Sequence, residues 1–166
     1  MKRGYSIIEM VLYVATLVFM LVVMMNVLRS IIVLERQLAS SRAIENSAAF
    51  GIERLVREIR QAKSVNVGSS TLDVNPGRLV LNSTDSSGAA ETVEFFVQNG
   101  VMRLKINGSD RGALTESKTT LSRLVFSRMA TSTTEAIRTQ ITLESGTSTT
   151  YKTANFYSTT LLRGSL

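Results

Sequence analysis

The chain has 166 residues, a formal net charge of +6 at pH 7, and neither cysteine nor histidine. Without these two residue types it can form no disulfide framework, no thiolate or imidazole metal site and no histidine-activated nucleophile. A carboxylate pair or a lysine base would remain for catalysis, but the acidic residues stand singly along the sequence. We therefore expect a protein that is not an enzyme and that carries neither a cofactor nor a metal ion.

The first element of the chain is an apolar segment close to the N-terminus. Met10–Met25 are interrupted by only two hydroxyl-bearing side chains, and softer flanks extend the segment to Tyr5–Leu28. As a helix the longer stretch measures about 36 Å, which is enough for a hydrocarbon core of about 30 Å. Lys2 and Arg3 precede it and favour a cytoplasmic N-terminus, with the rest of the chain exported. The sequence predicts a single-pass helix in membrane lipid.

A carboxylate lies at the start of this segment, in Gly4-Tyr5-Ser6-Ile7-Ile8-Glu9. Inserting a charged side chain at the bilayer centre costs about 2.5–3.5 kcal/mol, so an acidic residue near lipid indicates a functional role. In its order of glycine, aromatic residue, glutamate four residues later and apolar helix, the chain resembles the prepilin signature of type IV pilins and pseudopilins. The resemblance implies that residues 1–4 are a leader and that a prepilin peptidase cleaves between Gly4 and Tyr5 and methylates the new Tyr5 amine. It also implies that Glu9 pairs with the Tyr5 amine of a neighbouring subunit during filament assembly.

Simpler explanations exist for each of these features. Glu9 would favour the positive end of the helix dipole, an effect of about 0.3–1 kcal/mol, and Tyr5 would serve as an interfacial aromatic anchor. A secretory signal peptide fits poorly, because the apolar stretch exceeds the usual 7–15 residues or so and no small-residue cleavage site follows it. An ordinary uncleaved membrane anchor is the remaining alternative.

The helical pattern continues beyond the membrane segment. Apolar residues recur at steps of three and four and so share one face, which predicts that this part packs against a globular head. They are Ile44, Ala48, Ile52, Leu55, Val56, Ile59 and Ala62. We expect one helix from Tyr5 to Lys63, with a membrane half at residues 5–28 and an amphipathic half at 29–63. Gly51, inside the second half, would permit either close packing or a bend.

After Lys63 the period changes to two, which predicts an antiparallel sheet in a head formed by residues 64–166. Strands are expected at Arg78–Leu81, Thr92–Gln98, Val101–Ile106, Leu121–Met129, Ala136–Glu144 and Tyr151–Leu162. Asn99-Gly100 favours a type I′ hairpin turn. Asn82–Ala90 is predicted as a polar loop whose single carboxylate, Asp85, is too little for a calcium site. The expected fold is α+β, a long N-terminal helix packed on an antiparallel head, which is the fold of pilins.

The positive charge raises the question of nucleic acid. The densest basic run is Arg54, Arg57, Arg60 and Lys63. Glu53 and Glu58 interleave with it, and Glu53 and Arg57 have the spacing of a favourable i,i+4 ion pair. We therefore expect a solvated helix face, with DNA contact as the alternative.

Several short stretches are similar to minor pilins of the J or W type: Leu55–Arg60, Gly100–Leu104, Leu124–Phe126 and Leu161–Arg163. Many major pilins carry a glycine and a proline in the membrane half, where this chain has Val18 and Asn26. The resemblance therefore implies a minor pilin or minor pseudopilin that primes or joins a filament near its tip, together with other pilin or pseudopilin subunits. The alternatives are a competence minor pilin that binds DNA during uptake, and a membrane-anchored binding or adhesion protein that never polymerises.

Overall fold

A computed structural model describes residues 6–131 and 134–163. Its first element is a single helix, α1, at Ile7–Gln61, whose 55 residues extend about 82 Å at 1.5 Å per residue. Ala62 follows the last helical residue. Its backbone is extended, but its N–H still donates to Glu58 O at 3.0 Å. The end lies two residues before the predicted one, and Tyr5, the predicted start, lies outside the described residues. Lys63 N–H then donates to Asn82 O (2.8 Å), which directs the chain into the head.

The described part of the head contains eight strands in two antiparallel sheets. The first sheet has the order β1-β2-β3-β4-β5 and the second the order β6-β7-β8. The strands are β1 Ser64–Val65, β2 Leu79–Thr84, β3 Ala90–Gln98, β4 Val101–Ile106, β5 Ser109–Ala113, β6 Thr119–Ala130, β7 Glu135–Ser145 and β8 Lys152–Leu161. Short 3-10 turns occupy Val67–Ser69 and Ser148–Thr150. The predicted α+β class, a long N-terminal helix packed on antiparallel strands, is confirmed.

One hydrophobic cluster joins the helix and both sheets. Leu55 and Ile59 of α1 are fully buried in it, beside Phe95 of the first sheet and Phe126 of the second. The sheets are also connected by backbone hydrogen bonds, because the segment before β2 pairs with β6: Gly77 N–H donates to Leu124 O at 2.7 Å. The helix therefore contributes one wall of a core that the two sheets close.

The predicted apolar face of the helix is the buried one. Ile44, Ala48, Leu55, Ile59 and Ala62 are buried, whereas Ile52 and Val56 at the margin are half-buried. The nine buried positions of α1 all lie between Ser40 and Ile59. Burial of the helix against the head thus begins at Ser40, well past the predicted end of the membrane half.

The central hairpin has the predicted turn. Asn99 and Gly100 both have positive φ, 53° and 71°, as a type I′ turn requires, and the register places Gln98 opposite Val101. On the second sheet, Ile137, Thr139, Ile141 and Leu143 are buried on one face, as their alternation predicts. The expected strands are all present, with ends that differ by a few residues.

Two predictions about the head are wrong. Asn82–Ala90 is not one loop, because β2 continues to Thr84 and pairs with β3 from Ala90; the connection is only residues 85–89. Polar residues continue β2 because its ladder with β3 is made by backbone groups; of these residues Ser83 is buried, and Asn82 and Thr84 are half-buried. The strand β5 was not expected, since Asp110, Arg111 and Gly112 lack an apolar alternation. It follows a second Asn-Gly turn at Asn107-Gly108, again with positive φ at both residues.

Candidate assembly surface of the helix

The Glu9 carboxylate lies in the first turn of α1. Ser6 is the extended N-cap residue, and its carbonyl oxygen accepts hydrogen bonds from Glu9 N–H (3.0 Å) and Met10 N–H (3.2 Å). The Ser6 side chain makes no capping hydrogen bond. A carboxylate at this position complements the helix dipole, and it is exposed, so it is available to a group outside this chain. Gly4 and Tyr5, the residues predicted for cleavage and methylation, lie outside the described residues.

The first half of the helix presents apolar side chains to its surroundings. Every residue from Ser6 to Arg36 is exposed, and the most apolar eighteen-residue window has a mean hydropathy of 2.6. Among the described residues, this is the one helix long and apolar enough to cross a membrane by length and composition. A surface of this kind is stable in lipid or against other apolar helices, not in water.

The apolar surface extends past the predicted membrane half. Ile31, Leu34 and Leu38 stand at steps of three and four on one side of the helix, with 49%, 56% and 49% of their surfaces exposed. They precede Ser40, the first buried residue of α1. Because this spacing is that of a helix–helix seam, these residues are suited to packing against a neighbouring helix. The same steps of three and four are visible in the sequence through this stretch, but our prediction began the packed stripe only at Ile44.

Buried polar groups fix the helix to the head beyond Ser40. The hydroxyl of Ser47, 1% exposed, accepts a hydrogen bond from Glu116 N–H (3.0 Å) and lies 3.0 Å from Thr119 Oγ1. These bonds connect α1 to the first residue of β6 and to the segment that precedes it.

Gly51 is buried where α1 packs closely against the head, and α1 is continuous across it. A Cβ at this position would lie 2.7 Å from Met102 Cε, closer than real Cβ contacts.

The basic run at the end of the helix is paired differently from our prediction. The expected Glu53–Arg57 ion pair is not formed; Arg54 instead pairs with the buried carboxylate of Glu58, Nη2 to Oε1 at 2.6 Å. Arg57 and Arg60 are exposed, and Arg163, just after β8, lines the same groove. Our prediction did not include Arg163 in this basic group, because it lies far from Arg57 and Arg60 in the sequence. Only the packing of β8 against α1 brings it to the helix end.

The Asp85 carboxylate accepts hydrogen bonds from within its own loop. Asp85 Oδ1 accepts hydrogen bonds from Ser87 Oγ–H (2.6 Å), Ser87 N–H (2.9 Å) and Ala89 N–H (2.9 Å). The Ser87 hydroxyl, followed by the Ala89 amide, holds the pKa of Asp85 below its ordinary value. Within residues 6–131 and 134–163, no three acidic side chains are grouped in a way that could hold a metal ion.

Glu9 and the seam at Ile31, Leu34 and Leu38 therefore form a candidate assembly surface on one helix. Its polar end lies at the start of the apolar segment, and its seam lies between that segment and the head. Comparison of the chain with protein-family models, with curated proteins and with solved structures found no match.

Proposed function

We propose that the chain is a non-enzymatic subunit of a type IV filament system, a minor pilin or minor pseudopilin. In this proposal it inserts in the cytoplasmic membrane with its N-terminus inside, is cleaved after Gly4 by a prepilin peptidase and is methylated on Tyr5. It then joins or primes a filament, near the tip, through contacts with other pilin or pseudopilin subunits. The head is exported and performs no chemistry.

The observation that carries the proposal is the apolar, exposed half of α1 with Glu9 in its first turn. A simple membrane anchor needs about 20 apolar residues. Here exposed apolar residues continue to Leu38, ten residues past the predicted membrane half, before the head begins. A partner helix would cover them, and a carboxylate at the helix start would find an amine on that partner. Both features are what assembly through the helix needs.

The decisive experiment is to determine the N-terminus of the protein. The chain is expressed with and without a prepilin peptidase, and its N-terminal peptide is identified by mass spectrometry. The expected product with the peptidase begins at Tyr5 and carries one methyl group on its amine. If the chain retains residues 1–4 in the presence of an active peptidase that processes a known prepilin in the same cells, the proposal fails.

A membrane-anchored protein that never polymerises is the alternative from a different class. It would need the membrane helix but neither cleavage nor Glu9. Recovery of the processed protein only from the membrane, and never from the sheared filament fraction or in cross-links to other subunits, would favour this alternative.

The DNA-uptake alternative needs a basic surface on the head. The three arginines at the end of α1 are its best candidate, but acidic residues surround them. A soluble duplex titrated at low salt tests it, since phosphate contacts strengthen as salt falls.

A further inference from the structure

Three arginines meet at the membrane-distal end of α1. Arg57 and Arg60 lie one helical turn apart near the end of the helix, and Arg163 follows β8. All three side chains are exposed, and they line one groove with Gln61. We call Arg57, Arg60, Gln61 and Arg163 the arginine groove.

The fold holds these arginines together. Leu162, next to Arg163, is fully buried in the hydrophobic cluster that also contains Leu55 and Ile59 of the helix. Its N–H donates to Glu135 O at 2.9 Å, which continues the pairing of β8 with β7. The backbone at Arg163 is therefore anchored beside the last turns of α1, and its guanidinium stays near those of Arg57 and Arg60.

The positive charges of the groove are not neutralised within the part of the chain that the structure describes. No described carboxylate forms an ion pair with Arg57, Arg60 or Arg163. Of the acids that border the region, Glu58 pairs with Arg54 and the Asp85 carboxylate accepts the hydrogen bonds of its own loop. Glu53 and Glu91 also lie there, but neither forms an ion pair with the three arginines. The helix dipole favours a cation in the last turn, but it does not account for Arg163.

We propose that the arginine groove binds carboxylates on an acidic segment of a neighbouring filament subunit. That the neighbour is a filament subunit rests on the proposed function. The planar guanidinium offers a fork of N–H donors that matches a carboxylate in a two-bond geometry, and three such groups accommodate more than one carboxylate. Charge complementarity therefore defines the chemistry of the partner.

The position of the groove excludes lipid headgroups. Arg57 lies 29 residues beyond the predicted membrane half, about 44 Å along the helix. At physiological salt, charges in water are screened beyond about 8 Å, so an anionic membrane surface does not reach this site.

The surroundings of the groove disfavour duplex DNA. Glu53 lines the groove itself, and Glu91 borders the adjoining one. A duplex presents one phosphate charge for about every 1.7 Å of its axis, and an extended contact would bring phosphates against these carboxylates. A protein segment can place single carboxylates on the arginines without bringing further negative charges against Glu53 and Glu91.

The test uses the full chain in detergent micelles and a fluorescein-labelled, C-terminally amidated hexaglutamate peptide as the probe. The variant Arg57→Gln/Arg60→Gln is expected to bind the peptide roughly tenfold or more weakly than the unsubstituted chain, because two charge-assisted contacts are lost. The matched control is Arg123→Gln/Arg138→Gln, the same charge change at two exposed arginines of β6 and β7, with binding expected to stay within about twofold. Arg57→Lys/Arg60→Lys keeps the charge but not the forked donor geometry, and its affinity for the peptide is expected to lie between those of the unsubstituted chain and of Arg57→Gln/Arg60→Gln.

Equal losses in the two double glutamine variants would show unspecific attraction and would overturn the proposal, as would the absence of peptide binding. Tighter binding of a 12-base-pair duplex than of the peptide, lost in the Arg57→Gln/Arg60→Gln variant, would assign the groove to nucleic acid instead. Because the titration needs neither a filament nor the peptidase, a negative result here leaves the proposed function standing. Failure to find the N-terminus at Tyr5 would remove the filament partner without changing the peptide result.

Discussion

Replacing Glu9 with alanine separates its role in assembly from its role in the membrane. Glu9 is four residues from Tyr5, the predicted start of the membrane half, about 6 Å along the axis, whereas the bilayer centre lies about 15 Å from the interface. The insertion cost of the carboxylate is therefore well below the value of about 2.5–3.5 kcal/mol at the centre. We expect Glu9→Ala to insert as efficiently as the unsubstituted chain and to be cleaved after Gly4.

The expected effect on assembly is much larger. A charge-assisted hydrogen bond between the Glu9 carboxylate and the Tyr5 amine of a neighbour would contribute about 1.5–3 kcal/mol. Its loss lowers incorporation roughly 10- to 150-fold, since each 1.4 kcal/mol is about a factor of ten. If Glu9 served only the helix dipole, the loss of about 0.3–1 kcal/mol would act on a helix that continues to Gln61, and incorporation would not change measurably.

The assay compares three quantities in the same cells: the membrane-inserted fraction after carbonate extraction, the N-terminal peptide by mass spectrometry, and the protein in sheared filaments. Glu9→Asp keeps the charge with a shorter reach, and Glu9→Gln removes the charge while keeping the size. Glu45→Ala, the same loss of an exposed helix carboxylate outside both the membrane half and the Ile31–Leu38 seam, is the control and should assemble normally. Normal incorporation of Glu9→Ala would refute the assembly role and leave the dipole as its explanation.

Three further predictions concern the head and are measured as changes in the free energy of unfolding, by urea titration of the full chain in detergent. Ser47→Ala should destabilise it by about 0.5–1.5 kcal/mol, because the part-buried hydrogen bond from Glu116 N–H to the Ser47 hydroxyl is lost; an unchanged value would mean that water replaces the hydroxyl. Thr139→Val should stabilise it by about 1–3 kcal/mol, because the buried Thr139 hydroxyl has no partner among the described residues; a loss of stability would contradict this. Gly100→Ala should destabilise it by about 2–4 kcal/mol, since φ is +71° and the new Cβ would lie 2.9 Å from Thr120 Cγ2; an effect below about 0.5 kcal/mol would show that the turn rearranges.

Local periodicity was sufficient for much of the fold. The steps of three and four between Ile44 and Ile59 identify the buried face of α1, and Asn99-Gly100 identifies the central hairpin. Both signals depend only on residues close in sequence, where helical and strand geometry determine which side chains share a face. The error at Asn82–Thr84 has the same origin in reverse, because three consecutive polar residues resemble a loop even where the strand buries or half-buries them.

Long-range packing could not be predicted in this way. The two sheets of the head are joined because Gly77 and its neighbours pair with β6, some fifty residues later in the chain, and no local pattern encodes that choice. The arginine groove depends on the same kind of contact. Arg163 lies beside Arg57 and Arg60 only because β8 packs against the helix. In the sequence it is distant from both, so the spacing of charges along the chain does not predict that the three form one group.

The division of α1 into two halves makes the effects of substitutions interpretable. All nine buried residues of the helix lie between Ser40 and Ile59, and the residues from Ser6 to Arg36 are exposed. The stability of the head therefore depends on the second half, because a side chain that the fold does not bury contributes little to its free energy of unfolding. A substitution in the first half that abolishes assembly while leaving that free energy unchanged acts on lipid or on another subunit, not on folding. Glu9 and the Ile31–Leu38 seam are thus positions where a change in assembly would report on intermolecular contact directly.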